Sequence, residues 1–473
     1  MSTIPAPEPP IDDPVDPLPR FTRRTGVSPD GARRLLPEER EVLDEAVEKL
    51  TPEAMGVLVA VAETDRGGLL ARLAALSERD RHSCVPYLKR FLRPLRASDW
   101  PERPGTRGER VHDRRLKLAL LLAGAVCERE AAAAARWVRH TKLQRADTSY
   151  PDALWLLGVL ADRPEEWRAD FADRIAERRN PGLERFWFPL AREMMVESGR
   201  PVPTHGDFVR AWMRGIEYPP RYCAEGISSR DYPDTLLDRL REDPLLDALL
   251  PWIFQDDDSV ALLWTYEAED ADRWPWALAA LAGEGRVDRA PLLDAVLACL
   301  VRGGRPSRAG YCLEVLAHLD PTDEECAERV PTLLRLLPGS HSTVAGFAQQ
   351  RLRALDDAGL LGTEHLVEAS RSALLRTEKK LVRAQLTWLD RAARRDPSRA
   401  GAVVLAAADV FGHEDTAIRE RAWAVVARHL PHAPDGVRTG LAAASAALGP
   451  APRARAAEIL GAEPSDDTAP ATG

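Results

Sequence analysis

The stretch HEDTAIRERAWAVVARHL, residues 413–430, admits two readings: a metal site made of histidines and a glutamate, or one helix of a repeating array. A zinc hydrolase motif needs two histidines four residues apart on one helical face, with the glutamate between them. Here His413 and His429 are sixteen residues apart, and the first precedes the helix. Ile418, Ala422, Val425 and Val426 fall at i, i+4, i+7 and i+8, the stripe of a helix that packs on a core. Asp415 stands where an N-cap belongs, which leaves His413 and Glu414 in the preceding turn and Arg419 beside the inward Ile418. His429 then reaches the C-terminal end, where a cation meets the negative pole of the helix dipole. The stretch predicts a core-facing helix.

The same pattern recurs upstream. Second helices of hairpins are expected to open near Ser307, Thr343, Glu378, Asp415 and Pro452, at intervals of 36, 35, 37 and 37 residues. Core positions align at a spacing of 37: Val344, Leu381 and Ile418; Ala348, Gln385 and Ala422; Leu352, Leu389 and Val426. Gln385 breaks the apolar pattern, so Ala384 is expected inward in its place. A period of about 36 residues is short for HEAT or armadillo repeats, and the Trp, Leu-Gly and Tyr signature of tetratricopeptide repeats is absent. Units of this kind hide their apolar faces only by stacking on neighbours.

Apolar residues at three- and four-residue spacing, broken every ten to eighteen residues by Pro, Gly, Asp or Ser, extend over nearly the whole chain. The fold class is all-α, an α-solenoid of HEAT-like helical hairpins with an N-terminal helical bundle section. Thr51, Pro52 and Glu53 supply an N-cap, a first-position proline and an acidic first turn. Residues 1–36, rich in proline and acidic residues, read as a disordered leader, and 461–473 as a disordered tail. Between them the expected divisions are a helical bundle at 37–93, a Pro/Gly-rich hinge loop at 94–108, a Trp-rich, acidic helical section at 109–288, and HEAT-like repeats at 289–460.

Segments within this pattern carry a family resemblance. DRWPWALAALAGEGRVDRAPLLDAVLACLVRGGRPSR (272–308), LLRTEKKLVRAQLTWLDRAAR (374–394) and FGHEDTAIRERAWAVVARH (411–429), preceded by PVPTHGDFVRAWMRG (201–215) and LREDPLLDALLPWIF (240–254), resemble a family of helical-repeat proteins from actinobacteria known only as a domain of unknown function. The resemblance covers roughly residues 200–430, and the region upstream more loosely. It implies a helical fold and no activity, so no catalytic residue carries over. Family members are longer as a rule, which implies that a C-terminal part found in them is missing here.

Composition narrows the function. With 473 residues, 45% hydrophobic and 29% charged, the chain has the balance of a folded protein with a sizeable core. Six scattered cysteines without a CxxC pair read as reduced thiols. The N-terminus lacks the charged and apolar regions of a signal peptide, and the longest apolar run, residues 118–127, is too short to span a bilayer. The expectation is a cytoplasmic bacterial protein without a membrane partner.

Individual motifs read more plainly as structure than as chemistry. Asp256, Asp257 and Asp258 lack the alternating ligands and central glycine of a calcium loop and are expected to cap the next helix. Arg302, Arg305 and Arg308 surround two glycines but not a phosphate-loop pattern, and mark a hairpin turn. The aromatic and methionine side chains of RFWFPLAREMM, 185–195, are expected to fill a core. No nucleophile elbow or cysteine-protease context occurs, so no catalytic residue, cofactor or metal is assigned.

Charge is uneven. Residues 79–117 carry twelve basic against five acidic residues, and 151–289 carry seventeen against twenty-eight, within a chain of net charge −9. Arg90, Arg93, Arg96, Arg110, Arg114 and Arg115 are the candidate partner-binding basic patch. The expected function is a non-catalytic scaffold that binds another macromolecule, a protein first. The alternative is a nucleic-acid-binding HEAT-like protein, including a base-excision type of enzyme, whose arginines would line a concave face.

Overall fold

Helix starts obey local chemistry. The Thr51 hydroxyl accepts the Ala54 amide at 3.2 Å ahead of Pro52, and the Asp415 carboxylate accepts that of Ile418 at 3.1 Å. Asp256 accepts the Ser259 amide at 2.9 Å and so caps Asp257–Ala261, as the sequence anticipates. The computed structural model describes residues 37–95, 107–144, 146, 148–177, 184–228, 231–264, 272–446 and 448–460. Among them the regular structure is all helix, without a strand. The expected leader 1–36, the expected tail 461–473 and most of the expected hinge, 96–106, lie outside the described residues.

Two compact units form. Of the described residues, those up to 129 with 141–144 and 146 form the first, and those of 130–140 and from 148 onward the second. In the first, Pro37–Val47, Pro52–Glu63, Arg66–Ala75 and Glu78–Leu92 pack around Leu58, Leu69, Leu73 and Leu88, each fully buried. The long Arg107–Cys127 helix joins them through Leu120, Leu121 and Leu122, also fully buried. Its apolar stretch is therefore core of the N-terminal unit, although the sequence division placed it with the section beginning at residue 109.

The second unit opens with Ala131–Val138, Tyr150–Val159, Glu165–Ala176 and Glu184–Ser198. Phe186, Trp187, Phe188, Met194 and Met195 are all buried, and Trp187 and Phe188 meet Phe208 at ring distances of 6.1 and 5.5 Å. The helices between 289 and 460 follow a regular contact pattern. Arg289–Arg302, Val330–Arg335, Thr363–Leu374, Ala400–Ala408 and Gly436–Ala446 each pack on the next of the series. So do Pro306–Leu319, Ser342–Asp357, Lys379–Arg395, Thr416–His429 and Pro450–Leu460, whose openings are separated by 36, 37, 37 and 34 residues. Each helix of the first series also packs on the one that follows it in the second.

All nine aligned core positions are buried, none more than 9% exposed. Gln385 is among them at 0%, and Ala384 is only half-buried, so the expected exchange of these two does not occur. The amide stays inside because it is satisfied: its Oε1 accepts Gln349 Nε2 at 2.8 Å, and its Nε2 donates to Ser370 Oγ at 2.9 Å. Three helices are tied by this chain of polar groups.

Candidate interaction surface

The basic candidates are spread over two helices of the N-terminal unit. Arg90, half-buried, pairs with Glu45 and with Glu41 at 3.6 Å. Arg93 is exposed where Glu78–Leu92 ends, and Arg114 and Arg115 are exposed on Arg107–Cys127. Arg96 lies outside the described residues, as does the Arg110 side chain. Other cations of the stretch are engaged locally: Lys89 with Glu128 at 3.1 Å, Lys117 with Asp113 at 2.9 Å, and the buried Arg81 with Glu78 at 3.8 Å.

A more tightly built surface occurs in the second unit, between Tyr218 and Arg239. The Gly206–Glu217 helix ends at Tyr218, and the two prolines that follow start the short Pro220–Glu225 helix. The Arg221 guanidinium lies 4.5 Å over the Tyr222 ring, Tyr222 packs on Tyr232 at 4.9 Å, and Arg239 lies 5.5 Å over Tyr232. The four side chains make one contiguous column, its two rings tilted 38° to each other, in which each cation faces the electron-rich side of a ring. Asp234 holds it together, accepting from Tyr222 Oη at 2.6 Å, Arg221 at 2.9 Å and Arg239 at 2.8 Å. Burial works against the Asp234 carboxylate, but those donors and charges outweigh it and hold its pKa below the usual range. The hydrogen bond to Asp234 in turn raises the Tyr222 phenol.

Three residues before Arg221, Tyr218 exposes 45% of its surface. Glu217 is half-buried and accepts the Trp274 indole N–H at 2.8 Å. Burial pushes the Glu217 carboxyl up to about 7 despite that hydrogen bond. Trp252 and Trp264, later in the same acidic region, expose 41% and 50%. The exposed rings of Tyr218, Trp252 and Trp264 can stack on and hydrogen-bond a partner, and within the column the Cys223 thiol lies 3.7 Å from Tyr232 Oη. The sequence reading missed the column. Its signal was the run YPPRYCAEGISSRDYPD, 218–234, which with Tyr150 holds four of the seven tyrosines.

The side chains of the other motifs make local contacts. Arg302 donates to the Phe254 carbonyl, and Arg308 pairs with Asp257 and donates to the Gly303 carbonyl at 3.0 Å. His413 Nδ1 accepts the Asp415 amide at 2.9 Å, and the buried His429 bonds Asp390 at 2.8 Å, so the two histidines serve separate structural contacts. Among the described residues no group of three or more His, Cys, Asp or Glu side chains is placed to hold a metal ion, and no helix is long and apolar enough to cross a membrane.

One family model matches a segment of this chain. No curated protein and no solved structure matches it. Residues 224–381, which include Tyr232, Asp234 and Arg239 of the column and the helices through the start of Lys379–Arg395, match a domain of unknown function (DUF6493).

Proposed function

We propose that the chain is a non-catalytic α-solenoid scaffold of HEAT-like hairpins that docks a basic segment of a partner protein on the Tyr218–Arg239 surface. The observation that carries this reading is the exposure of the Tyr218, Trp252 and Trp264 rings in a region with twenty-eight acidic against seventeen basic residues, 151–289. Tyrosine and tryptophan dominate binding energy at protein interfaces, and surplus carboxylates attract arginine and lysine. The two series of neighbour-packed helices support the solenoid reading, since in solenoids each unit contacts only its neighbours.

Calorimetric titration with arginine-rich peptides, acidic peptides and duplex DNA tests the proposal. The basic peptides are expected to bind, and Tyr218→Ala to weaken them about tenfold, equivalent to about 1.4 kcal/mol. Duplex DNA is expected to bind only at low salt, because each phosphate contact contributes a slope of about −0.9 in log affinity against log salt. Sub-micromolar DNA binding at about 0.15 M salt, lost when Arg110, Arg114 and Arg115 become alanine, would establish the nucleic-acid reading in its place.

A further inference from the structure

Cys299 sits near the end of the Arg289–Arg302 helix and Cys312 in Pro306–Leu319, the helix that follows. Their Sγ atoms are 3.1 Å apart and both residues are buried, at 1% and 0% exposure. Arg308 Nε donates to Cys299 Sγ at 3.2 Å, and Asp257 and the Gly303 carbonyl hold that guanidinium from its other side. The hydrogen bond from Cys312, with Arg308 and the charge of Arg302, outweighs burial and lowers the Cys299 thiol to about 6. Cys312 is driven the opposite way, by its contact with Cys299 and by burial. The Arg308 contact thus favours the thiolate on Cys299 and leaves the proton to Cys312, the division of labour of an attacking and a resolving cysteine.

Two further features fit an oxidation site. Arg308 Nη2 is buried and meets no acceptor among the described residues. Nη2 shares one edge of the guanidinium with Nε, so the unused donor faces the side on which Cys299 lies, where an oxygen added to Sγ would accept from it. Cys299 is also only four residues from the exposed 303–305 turn, in which Gly303 and Gly304 adopt φ of 72° and 125°. A small oxidant needs only a local opening of that turn to reach the sulfur.

We propose that Cys299 and Cys312 form a reversible dithiol–disulfide couple, oxidised by hydrogen peroxide through Cys299. The Cys299 thiolate attacks one peroxide oxygen: the S–O bond forms, the O–O bond breaks, and the departing hydroxide takes a proton to become water. Cys299, having given two electrons to the peroxide, is then a sulfenic acid. Cys312 attacks its sulfur, the S–S bond forms, and the sulfenic oxygen leaves as water with the Cys312 proton. A dithiol reductant returns both thiols by exchange. Arg308 is a positioning residue that stabilises the thiolate.

The test treats the full chain with peroxide, quenches, unfolds it, alkylates the remaining thiols and maps the peptides by mass spectrometry. A Cys299–Cys312 linked peptide is expected, removed by dithiothreitol. Cys312→Ser should stop at the sulfenic acid, trapped on Cys299 by dimedone, and Cys299→Ser should leave Cys312 alkylatable. The wild-type rate should rise with pH through about 6 and level off, following the Cys299 thiol. Arg308→Gln should move that midpoint upward and slow the reaction at pH 7 by about tenfold or more, a shift that a purely structural role would not produce. Cys299 and Cys312 both alkylating fully after peroxide, or dimedone failing to label Cys299 in folded Cys312→Ser, would overturn the proposal.

Discussion

Replacing Asp356 by alanine should cost far more than replacing its neighbour Asp357. The Asp356 side chain is fully buried, accepts the Trp388 indole N–H at 2.8 Å, and pairs with Arg395 and Arg399. Burial opposes its charge, but Arg399, Trp388 and Arg395 outweigh that and lower its pKa. Arg399 is only 8% exposed, and its Nε and Nη2 already meet no acceptor among the described residues. Removing the carboxylate therefore strands a buried guanidinium, and breaking a buried pair from one side costs about 3–5 kcal/mol. Asp357 pairs instead with Arg391 and Arg395, which are 59% and 34% exposed. Pairs exposed to that degree contribute about 0.2–1 kcal/mol. At about 2 °C per kcal/mol for a large unit, Asp356→Ala should lower Tm by about 6–10 °C and Asp357→Ala by no more than about 2 °C. Asp356→Asn keeps an acceptor for Trp388 and should fall between them. Because the folded pKa is depressed, the charge stabilises fully above the ordinary carboxylate range and is lost as pH falls through the folded value. The gap between wild type and Asp356→Asn should therefore narrow in acid. Equal thermal shifts for the two alanine variants, by calorimetry and urea titration, would refute the reading of Asp356 as the buried partner of Trp388, Arg395 and Arg399.

Three other outcomes follow from the same packing. Ala422→Asp places an unpaired carboxylate at a site of 0% exposure and should destabilise by several kcal/mol, whereas Arg428→Asp, at a half-exposed position paired with Asp390, should cost about 1 kcal/mol; indistinguishable melting curves would break the register. Gln385→Leu should cost about 1–2 kcal/mol by leaving a Gln349 donor unpaired, Gln385→Ala more because it adds a cavity, and Gln349→Leu with Gln385→Leu should recover most of the loss in urea titrations. Glu217 has a raised folded pKa of about 7, so its contribution to stability should decline as pH rises from the ordinary carboxylate range to about 7, and Glu217→Gln should flatten that part of the Tm-against-pH curve.

The helical array was legible because its signals are local and periodic. Ile418, Ala422 and Val426 announce one buried stripe, and the same spacing around Val344 and Leu381 repeats it. Caps such as Thr51 and Asp415 need only three residues of context. Gln385 was misread because an apolar pattern carries no information about partners that lie fifteen residues before it, at Ser370, and thirty-six before it, at Gln349. The same limit hid the place of the Arg107–Cys127 helix: its apolar face was plain, but which neighbours would cover it was not.

Function was less legible for a related reason. The column depends on Arg221, Tyr222, Tyr232, Asp234 and Arg239 meeting across a turn, and the Cys299–Cys312 pair on two helices folding back on each other. Neither set has a fixed spacing that chemistry demands, unlike the four-residue separation of histidines in a zinc motif. The buried ties show what such pairings do for the fold. Gln349–Gln385, Arg395–Asp356 and His429–Asp390 each join residues 36 to 39 apart, close to the interval between helix openings. A helix that slid by one turn along its neighbour would keep most of its apolar contacts but strand these polar groups, and an unpaired buried polar atom costs about 1–3 kcal/mol. Apolar stripes therefore account for the cohesion of the helices, and the polar ties for their register. A surface composed of side chains from several helices, such as the one around Tyr218, keeps its geometry only while that register holds.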